Sequence, residues 1–209
     1  LILPRARAVN RELREQMSVR AAWFGLIASV VLIVVAFARL GLESQMMKAM
    51  PAMPGMAGMS ARDMVMRTEW GLALRLQVIA AVVALAAFAF AIRRTRGAWS
   101  VAAIAAIVLA VTPALGGHAA ASSRFTSLMI AADFLHVLGG ASWLGSLLSV
   151  MAIGVPIALT VGGTEKWSYV ESLVEAFSPL ALVSAALVFA SGVFASWIHL
   201  ERLQALWQT

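Results

Sequence analysis

The chain has 209 residues, 62% of them hydrophobic and only 12% charged, with a formal net charge of +6 and no cysteine. A soluble domain carries about a quarter charged residues, so a water-soluble fold is excluded, and the missing thiols exclude disulfides, iron–sulfur clusters and thiolate metal sites. The basic residues flank apolar runs and form no patch with interleaved aromatics, which argues against nucleic acid as a partner.

A bilayer core of about 30 Å needs roughly 20 apolar residues per helix, and the lipid bilayer is therefore the expected surrounding of this chain. Residues 1–20 open on Leu1-Ile2-Leu3-Pro4 and carry Arg5, Arg7, Arg11 and Arg14. They read as a basic cytoplasmic segment that follows an earlier helix, without the pattern of a signal peptide. The first apolar run covers residues 21–40, and residues 41–69 form a methionine-rich connection. The second run, 70–92, stops at Arg93, Arg94 and Arg96.

The third run, 98–115, is rich in alanine and valine and is broken by Thr112, Pro113, Gly116 and Gly117. The fourth starts at residue 127 and stays apolar to Val161, too long for one straight span. Gly154 and Pro156 are expected to end or bend it, which gives a span over 127–153. The fifth run, 176–198, places Pro179 in its first turn, where proline is tolerated, and residues 199–209 form a tail. The fold class is all-α: a polytopic transmembrane bundle with about five spanning helices.

Basic residues are retained on the cytoplasmic side of short loops. The arginines before the first span and after the second put those segments inside. Residues 41–69, the turn at His118 and the end of the fifth span then face outward.

Eight of the eleven methionines fall in the 41–69 connection, and Met47, Met50, Met53, Met56 and Met59 recur at every third residue. Pro51 and Pro54 disfavour an α-helix there, whereas polyproline II has three residues per turn and would put the series on one face. Thioethers are soft neutral ligands suited to Cu(I). At about 3.1 Å per residue the sulfurs stand roughly 9 Å apart, a spacing suited to capture and hand-over. The same ladder also suits an adaptable apolar contact with a partner or the membrane surface.

All three histidines fall on the predicted outer side: His118 before the fourth span, His136 two to three turns into it, and His199 at the end of the fifth. Asp133 and His136 are three residues apart and share a helix face. An ionisable group inside a span marks a candidate site. Asp133 could fix the His136 tautomer or ligate a metal directly; the alternatives are an interhelical hydrogen bond for each histidine and a helix N-terminal carboxylate for Asp133. Gly139, Gly140, Ala141, Gly145, Ser191, Gly192 and Ser196 read as packing surfaces.

Gly117-His118-Ala119-Ala120, then Asp133-Phe134-Leu135-His136 running to Trp143-Leu144-Gly145, then Phe177-Ser178-Pro179-Leu180-Ala181-Leu182, resemble the copper resistance protein D family in order and spacing. The resemblance covers roughly residues 68–209. Ala176 replaces the family's arginine before Phe-Ser, and Ser146 stands where a second glycine is common. The resemblance implies a bacterial inner-membrane protein that handles copper with a periplasmic copper carrier or a larger membrane complex, and it assigns the family histidines to His118 and His136. Family members continue with further helices, so the chain is expected to lack helices at both ends.

The leading expectation is a non-enzymatic, copper-binding or copper-transporting membrane protein. Met47, Met50, Met53, Met56 and Met59 would collect Cu(I), with His118, His136, Asp133 and His199 as further ligands. An accessory subunit of a larger membrane complex and a b-type haem cytochrome are the alternatives. Ser122 or Ser123 lacks the motif and oxyanion element that hydrolysis requires.

Overall fold

The computed structural model describes residues 11–49, 60–117, 125–160, 163 and 165–199. Among these residues seven α-helices follow one another: α1 (Arg11–Ala49), α2 (Ala61–Arg67), α3 (Glu69–Ile92), α4 (Ala98–Gly116), α5 (Thr126–Ser149), α6 (Val155–Ala158) and α7 (Glu165–His199). A single π-helical turn, Val150–Gly154, joins α5 to α6. No strand occurs among the described residues. Among the described residues, five segments are long and apolar enough to cross a membrane: Glu12–Met47, Glu69–Ile92, Ala98–Gly116, Thr126–Ala158 and Glu165–Ile198. The molecule is an all-α, multi-pass membrane bundle.

The helices outrun the apolar runs. α1 has 39 residues and so is roughly 58 Å long at 1.5 Å per residue, about twice the hydrocarbon thickness. Its ends therefore extend as helix beyond the apolar centre, and residues 41–49 are helical where a connection is expected. Within the remaining connection, Ser60 caps α2: its hydroxyl accepts from the Asp63 amide at 3.1 Å and Asp63 accepts from the Ser60 amide at 3.4 Å. This reciprocal box satisfies amides that a helix start leaves bare.

α7 likewise begins eleven residues before its apolar run, at Glu165. Pro179 consequently lies in the helix interior, not in the first turn. The added turns are helical because they are amphipathic: Tyr169, Ser172 and Leu173 are buried while Glu165, Glu171 and Glu175 are exposed. On the fourth span, Pro156 does not end the helical path. The π turn ahead of it lets the Val155 amide bond the Val150 carbonyl, five residues back, where an insertion of this kind absorbs a local break in the helical ladder. The helix then continues to Ala158.

The chain divides into two compact units, residues 1–21 with 122–209, and residues 22–121. In the second unit, α3 and α4 form an antiparallel pair closed by alanine. Ala73, Ala80, Ala84, Ala87 and Ala91 are buried on α3, and Ala98, Ala102 and Ala105 on α4. Spacings of three, four and seven residues keep them on one stripe of each helix, and their small size lets the backbones approach where no hydrophobic effect drives association. The turn between these helices uses Gly97 at φ 82°, a left-handed conformation that costs an L side chain. Ala22 of α1 packs with Ala91 and Ala98, and the Arg39 guanidinium lies 5.9 Å from the Trp70 ring centroid, near the end of α1 and the start of α3.

In the first unit, Met17 of α1 is buried with Ile153, Ile157, Ala158, Tyr169 and Leu173. The Tyr169 hydroxyl donates to the Met17 sulfur at 3.5 Å, so the phenol has a partner inside an otherwise apolar cluster. α5 and α7 run antiparallel and meet closely at Gly139. A methyl group there would stand 3.0 Å from the Ser184 carbonyl oxygen and 3.1 Å from Leu187 Cβ and Val188 Cγ2. This contact sets the distance between the two helices beside the candidate site.

Candidate metal site

Asp133 and His136 sit on α5, about 10 and 15 Å along the axis from its start at 1.5 Å per residue. Both fall in the Thr126–Ala158 span. They are about 60° apart around the helix, and the imidazole turns toward α7. There its Nδ1 lies 3.1 Å from the Ser191 hydroxyl oxygen. Ser191 is buried and donates to the Leu187 carbonyl at 2.6 Å, with the Val188 carbonyl at 3.1 Å. A polar chain thus runs from the α7 backbone through a hydroxyl to one ring nitrogen of His136.

The polar partner of His136 is therefore Ser191 and not Asp133. Asp133 is half-buried and makes no hydrogen bond or ion pair among the described residues. Helical spacing puts two side chains on one face, but a short carboxylate three residues away does not follow an imidazole that reaches across to a neighbouring helix.

His199 closes α7, and its side chain lies outside the described residues. The register that sets His136 beside Ser191 and Gly154 beside Leu173 puts residue 199 level with Leu128, about 12 Å from the level of His136 along the helix pair. His136 and His199 thus occupy different depths, unlike two axial ligands of one transmembrane haem. His118 lies outside the described residues, as do Met50, Met53, Met56 and Met59. Met47 is half-buried on α1, so the first member of the every-third-residue series is α-helical. Two neighbouring methionines differ in access: Met64 is buried on α2 and Met66 is exposed.

Among the described residues, no three His, Asp or Glu side chains cluster as a ready metal cage. The fit of the present donors to copper rests on their chemistry. An imidazole with one engaged nitrogen offers the other as a ligand, and imidazole and thioether are donors that copper accepts.

In the sequence Ser191 looks like a packing residue, because it sits among Gly192 and Ser196. Its distinguishing sign is its seven-residue spacing from Ser184, the other buried serine of the apolar part of α7. That spacing puts both hydroxyls on one stripe.

No curated protein and no solved structure matches the chain. The family model described as copper resistance protein D-like, N-terminal domain, matches residues 1–125. The match includes the whole methionine-rich connection and the Gly117-His118 motif, while Asp133 and His136 lie beyond it. With more than half its length matched, the chain belongs to the copper resistance protein D-like family.

Proposed function

We propose that this protein binds Cu(I) at the periplasmic face of a bacterial inner membrane and passes it inward, without catalysing a reaction. The observation that carries the reading is His136: an imidazole inside a membrane span, one nitrogen engaged across the helix pair and the other without a protein partner among the described residues. Family membership supports copper as the cargo. The methionine series supports the reduced ion, because thioethers are soft donors.

In this reading Met47, Met50, Met53, Met56 and Met59 capture the ion. His118 and His136 take it from them, with Asp133 offering a charge-balancing oxygen and His199 a further imidazole at the outer end of α7. A periplasmic carrier would deliver or collect the ion, and further membrane subunits would extend its path.

The test is an anaerobic competition titration of the purified chain against a chromophoric Cu(I) chelator. The wild type is compared with His136→Ala and with a variant carrying Leu at the five methionines. Loss of the imidazole should weaken binding by about 10-fold or more, the range found when metal-site groups are altered. A wild type that binds no Cu(I) would sink the proposal and leave an accessory role in a larger membrane complex.

A further inference from the structure

We infer that Ser191 is the positioning residue for His136: it holds the neutral ring with its proton on Nδ1 and so directs the Nε2 lone pair outward as the ligand atom. The inference rests on the copper reading for the identity of the ligand, but its structural half stands on geometry alone.

A serine hydroxyl has one proton and two lone pairs. The Ser191 proton is committed to the α7 backbone, because the Leu187 carbonyl lies at 2.6 Å and the Val188 carbonyl at 3.1 Å. With its proton on the shorter bond to the backbone, the hydroxyl turns a lone pair toward His136 Nδ1 at 3.1 Å, and Nδ1 carries the hydrogen. In the neutral ring the lone pair is then on Nε2.

The free amino-acid side chain favours the opposite tautomer, with the proton on Nε2, so this arrangement is imposed by the fold. Ser191 is well suited to impose it. It is buried, its hydroxyl is held on a helix, and its neighbour Gly192 leaves the ring room, since a methyl there would come no closer than 3.9 Å to His136 Cε1. A ring nitrogen held by an outer partner in this way fixes both the orientation and the basicity of a metal-binding imidazole. Asp133, on the same helix, remains available for a different role.

The test uses the full chain in detergent micelles with 15N-labelled histidine, free of metal, at about pH 8, above the ordinary histidine range. His118→Gln and His199→Gln serve to assign the signals. In the wild type, His136 should carry its proton on Nδ1. Ser191→Ala should release the ring to the Nε2-protonated form and weaken Cu(I) binding about 10–100-fold. Ser191→Thr, which keeps a hydroxyl able to bond the preceding turn, should restore both properties.

A wild-type ring protonated on Nε2, or a tautomer unchanged by Ser191→Ala, overturns the inference. A ring protonated on Nδ1 whose Nε2 signal is untouched while the chain binds Cu(I) overturns the ligand half alone; a chain that binds no Cu(I) overturns the copper reading and leaves the ring-positioning half standing.

Discussion

Replacing Gly139 by alanine tests whether helix spacing controls the site. The new methyl would stand 3.0–3.1 Å from the Ser184 carbonyl, Leu187 Cβ and Val188 Cγ2, whereas carbon atoms rest at about 3.5–4.0 Å. Relief requires α5 and α7 to part by about 0.4–0.9 Å at this level. His136 is one turn away, and its 3.1 Å approach to Ser191 would lengthen to about 3.5–4.0 Å, beyond hydrogen-bonding range. The overpacking costs about 1–3 kcal/mol and the lost bond about 1 kcal/mol. The helix preference of alanine over glycine offsets about 1 kcal/mol of this. The net is a destabilisation of about 1–3 kcal/mol, together with release of the ring.

Thermal unfolding in detergent reads the first effect and histidine 15N spectra the second. Gly140→Ala is the matched control, because a methyl at Gly140 meets nothing within 4 Å; it should be neutral or slightly stabilising and leave His136 unchanged. If Gly139→Ala behaves like Gly140→Ala in both measurements, Gly139 does not set the distance between the helices.

Gly97→Ala should lower stability by about 1–2 kcal/mol through backbone strain alone, since its φ is 82° and a methyl there touches nothing within 4 Å; an unchanged melting temperature would contradict this. Met17→Ala should cost about 2–5 kcal/mol by opening a cavity among Ile153, Ile157, Tyr169 and Leu173, whereas Tyr169→Phe removes only the hydroxyl's bond to sulfur and should cost no more than about 1 kcal/mol. A larger loss for Tyr169→Phe than for Met17→Ala would reverse the assigned importance of packing. The hydrogen bonds from Ser60, aided by Arg67, hold the Asp63 carboxyl below its ordinary value of 3.8. A depressed folded-state value means that this contribution to α2 is fully present above the unfolded value and is lost as pH falls through the folded one. Carbon chemical shifts of Ala61–Arg67 should therefore lose helical character in that acid range, and Ser60→Ala should abolish the transition.

The spans were legible because lipid offers no hydrogen bonds, so each crossing segment must be a helix and must be apolar. Their ends were not. Residues 41–49 and 165–175 are helical but mix polar with apolar side chains, and a count of apolar residues stops where the first polar ones appear. Pro179 was misplaced for the same reason, since its position depends on where α7 starts. The candidate site was half legible. Asp133 and His136 stand out as ionisable groups in a span, yet the partner of His136 is 55 residues away and is fixed by the register of two packed helices. Helical periodicity reports which residues share a face; it says nothing about which residue of another helix that face meets.

The alanine seam between α3 and α4 inverts the size distribution of a soluble core. The small side chains are inside, and the large ones, such as Ile79, Val82, Ile104 and Ile107, point away from the pair. In a bilayer such faces can meet acyl chains, where a soluble domain would need a second protein layer. Exchange among Val, Ile, Leu and Phe on the outer faces should be nearly free, whereas the seam should reject anything bulkier than alanine. Solubilisation would then be most damaging in detergents whose tails are too short to cover those outer faces.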